Sequence, residues 1–78
     1  MEDVRIRMID IAASYFASWR HAMAAMEVDD ERDYRCRYEG AQRAAALLGI
    51  EEREIEDYAW AKWGDEIGKI YTENHQTW

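Results

Sequence analysis

Proline is absent from this chain, and cysteine occurs once, at Cys36. A single cysteine excludes an internal disulfide, and a zinc site would need more soft ligands than Cys36, His21 and His75 supply. The expectation is no metal, no cofactor and a reducing, cytoplasmic setting, either of a bacterium or of a host cell for a phage-encoded chain. Cations are scarce as well. Ten Lys and Arg face seventeen Asp and Glu, a net charge of −7, which disfavours direct contact with nucleic acid, because that affinity comes from cationic neutralisation of phosphates. The same balance suits solubility or a basic protein partner. No membrane span is expected, since one needs about 20 nearly uncharged residues and Asp10, Arg20 and His21 interrupt the most apolar region. Ala22-Met23-Ala24 has the look of a signal cleavage site, but Glu2 and Asp3 cancel Arg5 and Arg7, so no secretory signal is expected. With no low-complexity run and no internal repeat, residues 1–78 read as a single helical domain. A domain of this size buries only about 60% of its unfolded surface, so its core needs dense packing or oligomerisation. Four tryptophans, five tyrosines and Phe16 supply large apolar areas for that purpose.

The periodicity is helical throughout. The spacing predicts a first helix over about 3–26, in which Ile9, Ala12, Phe16, Trp19, Met23 and Met26 occupy the a and d positions of a heptad. Met8, Tyr15, Ala22 and Ile11 widen the apolar arc to roughly 200°, where a surface helix shows a little over 100°. Only Asp10, Arg7, Ser14 and His21, with Arg20 at the edge, keep a polar strip. Such a helix is covered on two sides: it is either the central helix of a bundle or faces a second copy or another partner. A homodimer with Met8, Ile11, Tyr15 and Trp19 at its interface is the expectation.

A second helix is expected over about 30–48, capped by Asp29 or Asp30, with Tyr34, Tyr38, Ala41, Ala45 and Leu48 forming its seam. Gly40 within it costs about 1 kcal/mol against alanine, which close packing could offset. Gly49 suits the left-handed position just past a helix, with Ile50 folding back on the preceding turn. A third helix opens acid-first at Glu51 and runs to about Trp63, its stripe made of Ile55, Ala59, Trp60, Trp63, Ile67 and Ile70. Gly64 and Gly68 leave two readings. One is a short fourth helix over 65–72; the other is one long helix in which a neighbour comes close. Residues 73–78 are polar until Trp78 and are expected to fray unless Trp78 docks. The fold class is all-α, a compact bundle of three main helices.

Catalytic constellations are missing. No Glu-x-x-His pair, phosphate loop, nucleophile elbow or nucleotide fingerprint occurs, and no histidine is placed by the sequence to activate Cys36. The abundant carboxylates lie at helix starts, where solvated structural roles are the rule. The expectation is a protein that is not an enzyme. Tyr34-Arg35-Cys36-Arg37-Tyr38 interleaves aromatics with cations as single-strand binders do, but its tyrosines are one turn apart on the core seam and its arginines have acids to pair with.

Arg43-Ala44-Ala45-Ala46-Leu47-Leu48-Gly49-Ile50, followed by Ile55 and ending at Trp63-Gly64, resembles the helix-turn-helix of Fis-type DNA-binding proteins. The likeness covers residues 43–64 only and implies a helical hairpin whose second helix would read DNA. Where that family places polar and basic residues, this chain has Glu51, Glu52, Glu54, Glu56 and Asp57 against Arg53, and phosphates repel such a surface.

Two acidic patches therefore stand out: Glu51, Glu52, Glu54, Glu56 and Asp57, and Asp29, Asp30, Glu31 and Asp33. They open consecutive helices, so antiparallel packing would set them roughly 25 to 30 Å apart at 1.5 Å per residue. The functional expectation is a non-enzymatic acidic protein-binding module, most concretely a small inhibitor of bacterial or phage type. Its target would be a basic protein, including nucleic-acid-binding proteins whose channels an acidic chain could occupy by mimicking nucleic acid. An anti-CRISPR or other anti-defence role fits the size and charge. The alternative is a helix-turn-helix transcriptional regulator using 43–64.

Overall fold

The computed structural model describes residues 2–74, which form α1 (Glu2–Ala24), α2 (Val28–Ala46) and α3 (Glu52–Asn74). The protein is all-α, with three helices and no strand among the described residues. Helix α1 lies in the middle. It packs along both neighbours, which scarcely meet each other, and cross-helix contacts make α2 antiparallel and α3 parallel to it. The result is nearly one layer of helices, about 50 × 23 × 15 Å between Cα atoms.

This placement explains the wide apolar arc of α1. Phe16 and Ala12 are buried, as their heptad positions require, and Ala13, Ala17, Ala22 and Ala24 are buried too. Those alanines lie off the heptad seam. Two flanking helices bury two stripes, and alanine lets each flank approach closely while favouring the helix itself. Phe16 and Ile55 are the largest fully buried side chains. Phe16 meets Trp19, Tyr38 and Trp60 at ring-centroid distances of 5.7, 5.2 and 5.8 Å, and Trp19 stacks on Tyr38. The Arg20 guanidinium covers Trp19 at 4.6 Å, a favourable cation–π arrangement. Burial pushes ionisation of the Tyr38 hydroxyl well above the ordinary tyrosine value, and the Glu52 and Glu56 carboxylates push it further.

Both interhelical turns have the same hydrogen-bond pattern. At the α2–α3 turn, Ile50 N–H donates to Ala45 O at 3.2 Å and Gly49 N–H to Ala46 O at 3.0 Å, with Gly49 at φ +76°. This is a Schellman turn, and Ile50, buried at 3% exposure, folds back on Ala45 as its spacing predicts. At the α1–α2 turn, Glu27 N–H donates to Ala22 O at 2.9 Å and Met26 N–H to Met23 O at 3.1 Å. Here the left-handed residue is Met26, at φ +61°. Met26 therefore lies outside α1 and is 64% exposed, and Met23 is 39% exposed, so neither extends the heptad seam.

Several boundaries differ from the sequence reading for identifiable reasons. Helix α2 begins at Val28 with Glu27 in the capping position and no side-chain cap, so Asp29 and Asp30 sit inside the first turn and act on the helix dipole instead. Helix α3 continues through Gly64 and Gly68 to Asn74, and no separate fourth helix forms over 65–72. A Cβ at Gly64 would meet only Trp60 at ordinary contact distance, and one at Gly68 or Gly40 would meet nothing within 4 Å. Close packing therefore does not explain these glycines; Ile67, buried between them at 6% exposure, carries the helix across. Leu48, expected on the α2 seam, is 46% exposed because the helix has already ended. Glu73 and Asn74 belong to α3, and the remainder of the expected frayed tail lies outside the described residues.

Candidate functional site

The two ends of the layer are built differently. Where α2 turns into α3, Arg5 ties α1 to the start of α3 and to the turn before it. One guanidinium nitrogen donates to both Glu54 carboxylate oxygens at 2.7 and 2.9 Å, and the other reaches the Leu48 carbonyl at 3.5 Å. Glu54 also accepts from the Glu51 backbone N–H at 2.9 Å, the backward half of a capping box. That bond, followed by the Arg5 contact, holds its carboxyl below the ordinary glutamate value. A turn further along, Asp10 accepts from Lys62 Nζ at 3.0 Å and from the Tyr58 hydroxyl at 2.9 Å, which lowers its pKa in that order of effect.

Toward the other end, α2 and α3 part. Between them lies a groove of about 480 Å³. Its floor is Ser14, Ala17, Ser18, His21 and Ala22 of α1, one wall is Glu27, Asp30 and Tyr34, and the other is Trp63, Glu66 and Ile67. Three carboxylates thus face a cleft bounded by two aromatic rings. None of the three has an ion-pair partner within 4 Å among the described residues. The Glu27 carboxyl is held above its ordinary value, first by a hydrogen bond with the Asp30 carboxyl, because two acids this close resist ionising together.

The expected site residues are divided by this geometry. In the patch at the start of α3, Glu51 and Glu52 are exposed, Glu56 is half-buried, Asp57 pairs with Arg53 at 3.7 Å, and Glu54 is committed to the fold. In the other patch, Asp29 is exposed, Glu31 is half-buried, Asp33 pairs with Arg37 at 3.2 Å, and Asp30 enters the groove wall. The two patches open α2 and α3, so the 19-residue α2 sets them about 28 Å apart. Of the residues expected at a dimer interface, Met8, Tyr15 and Trp19 pack against the chain's own core, while Ile11 is 50% exposed.

Glu27 and Glu66 are missing from the patches read in sequence. Glu66 is thirty-six positions from Asp30, and only the docking of both helices on α1 joins them. Cys36 is exposed. No group of three or more His, Cys, Asp or Glu among the described residues is arranged to hold a metal ion, and no described helix is long and apolar enough to cross a membrane. The fold and groove define an all-α, three-helix protein with an acidic cleft. Comparison with protein-family models, curated proteins and solved structures returns no match.

Proposed function

We propose that this chain is a non-enzymatic acidic protein-binding module that engages a basic surface of a target protein, most concretely as a small inhibitor of bacterial or phage type in an anti-CRISPR or other anti-defence role. The observation that carries this reading is the acidic groove, whose three carboxylates have no ion-pair partner among the described residues. Unpaired like charges on a folded body raise the field at their surface and steer cationic partners toward it. In the concrete version, the exposed carboxylates of Glu51 and Glu52 at one end and those of the groove at the other stand in for phosphates in a basic nucleic-acid channel. A second copy of the chain, through Ile11 and its surroundings, would double the number of such patches.

The second reading, a helix-turn-helix regulator using 43–64, has the tight Gly49 turn in its favour. Against it stand Glu51, just ahead of α3, and the four acids in the first two turns of that helix. Fluorescence anisotropy with labelled duplex DNA at low salt separates the two, because phosphate contact is strongest there. The inhibitor reading expects no binding of duplex by the chain itself, and displacement of duplex from the basic channel of an RNA-guided nuclease. Direct duplex binding by the chain would overturn it in favour of the regulator.

A further inference from the structure

The groove between the diverging halves of α2 and α3 has a shape as well as a charge. Its floor is a strip of small side chains, Ser14, Ala17, Ser18 and Ala22, spaced along one face of α1. Small residues at i, i+3, i+4 and i+8 leave room for the ridge of another helix. Helices α2 and α3 both pack on α1 but scarcely meet each other, so no helix of the described residues closes the space between them. A helix in the groove would close it and give the α1 floor a facing partner.

We infer that the groove is the docking site for a basic amphipathic helix of the target protein, which lays its apolar side chains on the α1 floor and its lysines or arginines between Glu27, Asp30 and Glu66. This rests on the reading of the chain as an acidic protein-binding module and gives that reading its address. The walls suit such an occupant. Tyr34 and Trp63 line the walls, each with one ring face under a cation of this chain, Arg37 at 6.0 Å and Lys62 at 4.8 Å. The remaining ring surface suits the aliphatic stems of basic side chains, and the carboxylates receive the charged heads. The nearby Lys62 is already held by Asp10 at 3.0 Å, so it does not neutralise the groove. A cation placed between Glu27 and Asp30 would also relieve the repulsion between their neighbouring carboxylates.

The test uses the whole chain and a fluorescein-labelled leucine–lysine peptide that forms an amphipathic helix. Binding is read by anisotropy and mapped by backbone amide shifts. The isosteric triple variant Glu27→Gln/Asp30→Asn/Glu66→Gln is compared with Glu51→Gln/Glu52→Gln/Asp57→Asn, which removes the same charge at the other end. The groove variant should weaken the peptide by about tenfold or more and the other by less than about threefold, since a helix seated on the α1 floor contacts all three groove carboxylates and meets those of the other end only through long-range attraction. Amide shifts on the unmodified protein should gather at 14–22, 27–34 and 63–67, a readout that does not depend on either variant folding. Equal losses in both variants, or shifts gathered at 51–57, would overturn the groove assignment while leaving an acidic module that binds basic partners. Failure of the unmodified chain to bind the peptide at all would remove both.

Discussion

The end of the layer where α2 turns into α3 and the end where they part are built on the same central helix, yet only the first is closed. At the closed end, Phe16, Tyr38, Ile50 and Ile55 are large side chains buried at 3% exposure or less, and Arg5 and Asp10 bridge from α1 to α3. At the open end, Ala17, Ala24 and Ile67 form a separate small cluster, and the first half of α2 has no buried residue until Tyr38. The difference is one of side-chain size. Both ends bury alanines that let the helices approach, but at the first Phe16, Tyr38, Ile50 and Ile55 fill the space between α2 and α3, whereas at the second the small side chains Ser14, Ala17, Ser18 and Ala22 leave it open as the groove floor.

The comparison can be broken most sharply in the core. Phe16→Ala should destabilise the protein by about 3–5 kcal/mol, the usual range for a fully buried aromatic, and Ile67→Ala by about 2 kcal/mol, the low end for an aliphatic residue that can collapse into an open site. Urea denaturation followed by circular dichroism measures both. Equal losses would show that the two ends are not energetically distinct.

The two turns offer the next contrast. Gly49→Ala should cost about 1 kcal/mol and Met26→Gly should gain up to about 1 kcal/mol, because each turn needs a left-handed residue and only one has glycine. Thermal melts check the opposite signs. If Met26→Gly destabilises, the exposed methionine side chain is stabilising the turn in some other way.

These turns also show what was legible in the sequence. Gly49 followed by Ile50 announces a Schellman turn because glycine is the residue that adopts that backbone at little strain. Met26 announces nothing, since its conformation is imposed by the docking of α1 and α2, and the heptad pattern carried the expected helix two residues too far. The three helices were readable from periodicity, their buried stripes only in part: Phe16, Tyr38, Ile55 and Ile67 are buried as expected, but Met23, Met26, Leu48 and Trp60 are exposed, and Ala13, Ala17 and Ala24 are buried off the expected seam. The continuity of α3 was not readable, because Gly64 and Gly68 look alike whether a helix ends or is held by Ile67. At the candidate site, Asp29, Asp30, Glu31 and Asp33 were visible as a run, but the placing of Asp30 opposite Glu66 in one groove depends on tertiary packing. The removal of Glu54 from the free charges likewise depends on Arg5, forty-nine residues away.

Acid should act oppositely on the two ends, with the smallest effects of the series. Asp10 and Glu54 have lowered pKa values, so their ties contribute above the ordinary carboxylate range and are lost as pH falls through their folded values. Glu27 has a raised value, so its neighbourhood with Asp30 loses stability as pH rises through that value. Asp10→Asn should therefore lower Tm at neutral pH and Glu27→Gln should raise it, with both differences fading below about pH 4. A matching sign for the two variants at neutral pH would contradict the assignment of opposed electrostatics.

The claim that the layer is closed at one end and receives a basic helix at the other is tested most directly by native-state hydrogen exchange with and without the leucine–lysine peptide. Amides around Ala12–Phe16 and Ile55–Ala59 should exchange slowest in the free protein. Those of residues 28–37 and 63–70 should exchange faster and be slowed by the peptide. Uniform protection in the free protein, or slowing confined to residues 51–57, would contradict it.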